Sequence, residues 1–119
     1  MKEGDIVLVD LLQSAAGSKL RPALILKQLP RFNDFLVCGI STQINQYIKD
    51  LDEILSEEDT EFSKTGLHKT SLIRILFLAV VSPQIVSGSI GKFPVFFIDK
   101  YFSDWQNFSL PESLLTSPQ

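Results

Sequence analysis

The stretch GSKLRPALIL, Gly17 to Leu26, sets a guanidinium at the mouth of an apolar run. Arg21 is permanently charged and offers a planar fork of donors that matches phosphate oxygens. Pro22 fixes the backbone beside it, and the apolar residues that follow read as a stiff, buried strand. Arg21 is therefore either a solvated charge that precedes a strand or a cation preorganised by it. A second constellation is GISTQ, Gly39 to Gln43, in which two hydroxyls, Ser41 and Thr42, end an apolar strand. Side chains alternate along a strand, so only one of the two is expected to face a given groove. A hydroxyl at that place either hydrogen-bonds a phosphate or caps a turn. His68, in GLHKTS beside Lys69, Thr70 and Ser71, is the only histidine of the chain. Imidazole is the side chain whose ordinary titration falls near neutral pH, and a lone loop histidine is either a proton carrier or a solvated bystander. Arg74 interrupts an apolar strand and must point to solvent, to a carboxylate or to an interface. A structural ion pair is its leading reading. Cys38, between apolar neighbours, reads as a buried structural thiol.

Composition bounds these options. The chain has 119 residues, 45% hydrophobic and 21% charged, which fits one soluble globular domain spanning residues 1–119 with a tail that frays after about residue 110. One domain of this size buries roughly two-thirds of its unfolded surface, enough for a single core. No apolar stretch approaches the roughly 20 residues needed to span a bilayer. The opening MKEGDIVLVD carries acids where an export signal has its apolar region. The one cysteine excludes an internal disulfide and fits a reducing, cytoplasmic setting. One cysteine and one histidine also argue against a structural zinc site, and no cofactor is implied. The net charge is −3, which on average argues weakly against nucleic acid. Its distribution is uneven. Seven acids and no base lie between Asp50 and Glu61, leaving eleven basic against seven acidic residues elsewhere. A local basic groove is compatible with that count, and the acidic run reads as a solvated loop.

The elements that must position these residues are short strands. DIVLVDLL (Asp5 to Leu12), RPALILKQ and FLVCGIST (Phe35 to Thr42) are rich in Val, Leu and Ile. Pro22 cannot donate to a ladder and belongs at a strand start or an edge. Gly39 marks a bulge or a close approach. The run from Ser71 to Val81 reads as one bent strand or two short ones. PQIVSGSIGKF reads as a turn with a short strand. From Pro94 onward Ile98, Tyr101, Phe102 and Trp105 recur at helical spacing. Phe93, Phe96, Phe97, Phe102 and Trp105 read as core and dimer face. Several short strands followed by one helix predict a mainly β fold, a small antiparallel barrel or sandwich with a C-terminal helix packed on it. No phosphate-binding glycine loop, carboxylate pair or Ser-His-Asp arrangement is present.

Taken in order, GDIVLVDL, RPALIL, CGISTQ, TGL…TSLIRI and IGKF resemble the MazF/PemK toxin endoribonucleases of type II toxin–antitoxin pairs, over roughly Gly4 to Phe93. The resemblance implies an SH3-like antiparallel barrel with helices, a homodimer, and metal-independent cutting of single-stranded RNA. The 2′-hydroxyl would attack the adjacent phosphate and leave a 2′,3′-cyclic phosphate and a 5′-hydroxyl. A cognate antitoxin would occlude the RNA groove with a disordered tail. The arginine of the family's Arg-Pro motif falls on Arg21, where it would stabilise the charge of the phosphorane. The family's hydroxyl falls on Ser41, with Thr42 beside it, and His68 could complete the catalytic set. Ser18, Lys19, Gln43 and Lys69 are expected to hold substrate.

Two positions depart from the family. Ala16 stands where an acid is expected before the arginine, and a second arginine would fall near Leu78 or Ala79. The general base is thereby unassigned. Two non-catalytic readings stand beside the nuclease. One is a barrel that grips another protein, as the gyrase-poisoning CcdB toxins do. The other is a degenerate toxin that binds its antitoxin without cutting. The Arg-Pro motif favours the nuclease branch over the CcdB-like one.

Overall fold

A computed structural model of the chain describes residues 1–10, 13–14, 17–18, 20–30 and 32–93, with backbone alone for residues 13, 14, 17 and 18. Among the described residues eight strands form: β1 Asp5–Val9, β2 Gln13–Ser14, β3 Gly17–Ser18, β4 Arg21–Gln28, β5 Phe35–Ser41, β6 Asp52–Leu55, β7 Ser71–Val81 and β8 Val86–Lys92. β2 and β3 pair as a small antiparallel ribbon. The other six make one sheet in the order β6-β7-β5-β4-β1-β8, and every pairing in it is antiparallel. Pro22 sits opposite Leu8, one residue before β4 begins to pair with β5 at Ala23, so its missing N–H leaves no gap on that side.

The alternation of apolar residues explains why the sheet forms. Ile6, Leu24, Leu26, Cys38, Ile40 and Ile73 join one buried cluster with Leu55, Phe62 and Phe93. Their strand neighbours Val7, Val9, Ala23, Ile25, Val37 and Val81 join a second with Phe35 and Val86. Period-two alternation puts successive residues on opposite faces, and here both faces bury apolar side chains. Burial of that kind specifies register, since a one-residue slip would exchange the two sets.

The mainly β, antiparallel architecture is as expected. The closed barrel is not: the sheet is open, with β6 and β8 at its edges. β6 has only four residues. The inner end of β8 is met instead by the 3₁₀ turn Phe62–Thr65 and its left-handed cap Gly66. A Cβ on Gly66 would run into the Ile90 carbonyl, so only glycine, at φ +75°, lets that turn lie against β8. The expected C-terminal helix, with Phe96, Phe97, Phe102 and Trp105, lies outside the described residues. Phe93 is part of the core, 2% exposed.

The acidic run is also corrected. Asp52–Leu55 is an edge strand paired with Ser71–Arg74, not a solvated loop. The Asp52 carboxylate is buried and accepts from the Ile48 N–H at 3.0 Å. Glu57 and Thr70 exchange two bonds: the Thr70 hydroxyl accepts from the Glu57 N–H, and the Glu57 carboxylate accepts from the Thr70 N–H, each at 3.0 Å. These acids are used to satisfy backbone donors, and so tie the segment down.

β7 is one strand with a bend. Its pairing with β5 steps from Cys38–Leu78 to Gly39–Arg74, leaving Ile75, Leu76 and Phe77 without partners on β5. The bulge throws the Phe77 ring over Gly39, where an added Cβ would lie 2.8 Å from Cδ1. The close approach expected at Gly39 is thus made by a side chain of the bulged neighbour.

Candidate functional site

The ends of β4 and β5 and the loop before β7 enclose a cleft of about 500 Å³. Arg21, Ser41, Thr42, Gln43, His68 and Lys69 all line it, with Leu8, Pro22, Leu67 and Ile90 as apolar wall. Six residues singled out from the sequence, from three separated segments, therefore meet in one place. Ser18 and Lys19 fall outside the residues whose side chains are described.

Each of the six is delivered by a local cause. Arg21 is the first residue of β4, paired with Val9, and its guanidinium is exposed. It makes no hydrogen bond or ion pair among the described residues, so its donors are free to meet a ligand. Ser41 is the last residue of β5. Its Oγ accepts from the Gln43 N–H at 3.0 Å, which turns the chain out of the strand. The turn-capping role is therefore real, and the Ser41 O–H proton is still available to donate. Because the strand stops at Ser41, alternation no longer applies beyond it. Both Ser41 and Thr42 reach the cleft, where one had been expected. His68 and Lys69 are exposed on the loop that follows Gly66. That loop is fixed at its far end by the Ser71 hydroxyl, which donates to the Lys69 carbonyl at 2.8 Å.

The electrostatics of the cleft run against the net charge of the chain. Among the described residues its charged lining groups are Arg21 and Lys69, and no carboxylate lines it. None of the seven acids between Asp50 and Glu61 is part of its wall. A smaller hollow of about 160 Å³ adjoins, sharing Arg21, Pro22, Ile40 and Ser41 and adding Gly39, Arg74 and Phe77. Arg21 lines both hollows and Arg74 the smaller one, an arrangement suited to an anion.

Arg74 is the residue the sequence reading did not place here. It was expected to sit in an ion pair, and among the described residues it makes none. Its Nη1 donates to Gln46 Oε1 at 3.3 Å, and its guanidinium lies 5.6 Å from the centroid of the Phe77 ring. Its Nε is buried without a hydrogen-bond partner. Only the offset pairing of β7 against β5 brings it beside Arg21, and no sequence spacing signals that. Cys38 behaves as expected: it is wholly buried, and burial pushes its thiol up to about 12. It lies in the core, away from the cleft.

A family model for PemK-like, MazF-like toxins of type II toxin–antitoxin systems matches residues 2–100. The chain belongs to this family. No curated protein matches it. Membership bears out the resemblance read from GDIVLVDL, RPALIL, CGISTQ and IGKF, and it implies an antitoxin partner for this toxin. Among the described residues of the toxin, no helix is long and apolar enough to cross a membrane. Leu78 and Ala79, where the resemblance led to the expectation of a second arginine, carry no charge. Arg74, on the other side of the bulge, lines the hollow that Arg21 also lines.

Proposed function

We propose that this toxin is a metal-independent endoribonuclease that cuts single-stranded RNA in the Arg21 cleft. The observation that carries the reading is the convergence of Arg21, Ser41, Thr42, His68 and Lys69 on one cleft that no carboxylate of the described residues lines. The 2′-hydroxyl next to the scissile phosphate attacks phosphorus and the bond to the 5′-oxygen breaks. The products are a 2′,3′-cyclic phosphate and a 5′-hydroxyl. Charge grows on the non-bridging oxygens as the phosphorane forms, and the free guanidinium of Arg21 meets it there. The Ser41 O–H donates to the same phosphate, and Thr42 offers a second hydroxyl. His68 carries one of the two protons that must move, off the 2′-oxygen or onto the leaving 5′-oxygen. Lys69 and Gln43 hold the flanking strand. The protein acts in the cytoplasm as a homodimer, and its antitoxin covers the cleft.

The competing reading is a toxin that binds its antitoxin, or another protein, without cutting. Ala16 and the absence of a cation at Leu78 and Ala79 favour it. Arg74 beside Arg21 favours the nuclease. Incubation with a mixed-sequence single-stranded RNA in EDTA separates them. Discrete fragments with cyclic-phosphate and 5′-hydroxyl ends are expected; intact RNA at high protein concentration would select the non-catalytic reading.

A further inference from the structure

The hollow beside the cleft has the shape and chemistry of a base site more than a phosphate site. Its volume of about 160 Å³ is enough for one planar base and little else. Apart from Arg21 and Arg74 its walls are Pro22, Gly39, Ile40, Ser41 and the half-exposed ring of Phe77. A phosphate gains nothing from an aromatic face, whereas a base stacks on one. Arg21, Pro22 and Ser41 line both the hollow and the cleft, so a base held in one belongs to a nucleotide next to the phosphate held in the other.

Arg74 defines which base. Its Nη1 is taken by Gln46, and its Nε proton is buried with no acceptor. A buried donor left unpaired is costly, so a ligand that turns the Arg74 side chain far enough to reach Nε gains a hydrogen bond that the free protein lacks. The Nε and Nη2 donors of a guanidinium form a side-on fork that demands two adjacent acceptors. Guanine presents such a pair at O6 and N7, while adenine places a donor beside its N7; cytosine offers O2 and N3 but a smaller face for Phe77 to stack on. A base held by that fork lies in the plane of the guanidinium, which itself rests against the Phe77 ring.

Building on the reading of the cleft as an RNA site, we propose that Arg74 and Phe77 form a guanine-selecting subsite beside the scissile phosphate. Arg74 reads the O6/N7 edge, and Phe77 with Pro22 sandwiches the ring. The bulge Ile75–Phe77 is the device that builds the subsite, since it carries Phe77 over Gly39 and leaves Arg74 facing Arg21.

The test is equilibrium binding of short oligouridines carrying one central guanosine, adenosine or 7-deazaguanosine, made with deoxyribose throughout so that cutting does not interfere. The wild-type protein is expected to favour guanosine over both alternatives by about tenfold, the range of a bidentate arginine–guanine pair. Arg74→Lys keeps the charge but lacks the fork, and should bind all three alike. Phe77→Leu should weaken the guanosine oligomer by about tenfold through lost stacking, with recovery in Phe77→Trp. Circular dichroism establishes that each variant folds. Equal binding of guanosine and adenosine oligomers by the wild type, or a preference that survives Arg74→Lys, overturns the subsite. If RNA is nonetheless cut with cyclic-phosphate ends, the nuclease reading stands without it. A wild-type protein that binds no oligomer and cuts no RNA overturns both.

Discussion

Arg21 sits at the exposed start of β4 with no hydrogen bond or ion pair among the described residues, so its removal should harm chemistry and spare the fold. Arg21→Ala is expected to slow single-turnover RNA cleavage by about a hundredfold or more, the usual consequence of losing one charge contact to a developing oxyanion. Its circular dichroism and urea midpoint should match the wild type, and near-normal cutting would remove Arg21 from the mechanism. Cys38 makes the opposite kind of prediction, about stability alone. Its thiol is held neutral by burial, with a folded value of about 12 against an ordinary 9.0. Below pH 9 both folded and unfolded chains keep the proton, and the stability is fully present. Above it the unfolded chain ionises while the folded chain does not, so stability falls as pH rises from 9 toward 12. The urea midpoint should drop across that range more steeply in the wild type than in Cys38→Ala. Equal slopes would mean that the thiol titrates alike in both states.

At the scale of elements, the cleft depends on the turn that ends at Gly66. A side chain there meets the Ile90 carbonyl and must also adopt φ +75°. Gly66→Ala should therefore cost on the order of 1–3 kcal/mol, as overpacking at a close backbone contact does, and should slow cleavage by displacing His68 and Lys69. Urea denaturation and a cleavage time course read the two effects, and an unchanged protein would show that the turn does not fix the loop. β4 and β5 were legible in the sequence because RPALILKQ and FLVCGIST are rich in Val, Leu and Ile, and the sheet buries them on both faces. β6 was not, because four of the acids that conceal it are satisfied by backbone donors or pairing that only the fold supplies. A bent β7 was one of the two readings of Ser71 to Val81, the other being two short strands, and neither located the bulge: Ile75, Leu76 and Phe77 carry no turn residue to announce it. For the same reason Arg21, Ser41, Thr42 and His68 could be named singly, while Arg74 entered only once the register was known. The barrel expectation failed at closure, because the turn at Gly66, and not a strand, meets β8.

Over the whole molecule, charge and apolar surface are distributed unevenly. The chain is net acidic, yet among the described residues its cleft is lined by cations and no carboxylate. The outer part of β7 leaves Leu76 at 65% and Val80 at 57% exposed, with Leu78 between them also exposed. In the proposed homodimer a second copy of the chain covers this apolar row. Light scattering at micromolar concentration should give a dimer mass, and Val80→Asp should shift it toward monomer; a wild-type monomer would confine the site to one chain. Binding of an uncut RNA analogue should weaken as salt rises, since the contacts proposed for Arg21 and Lys69 are to phosphates. The most direct test of the central claim replaces one ribose. In an RNA with a mapped cut, deoxyribose at the nucleotide that supplies the attacking hydroxyl should abolish cutting at that bond, while the oligomer still binds and neighbouring cuts persist. Continued cutting at the deoxy position would show that the 2′-hydroxyl is not the nucleophile and would contradict the account.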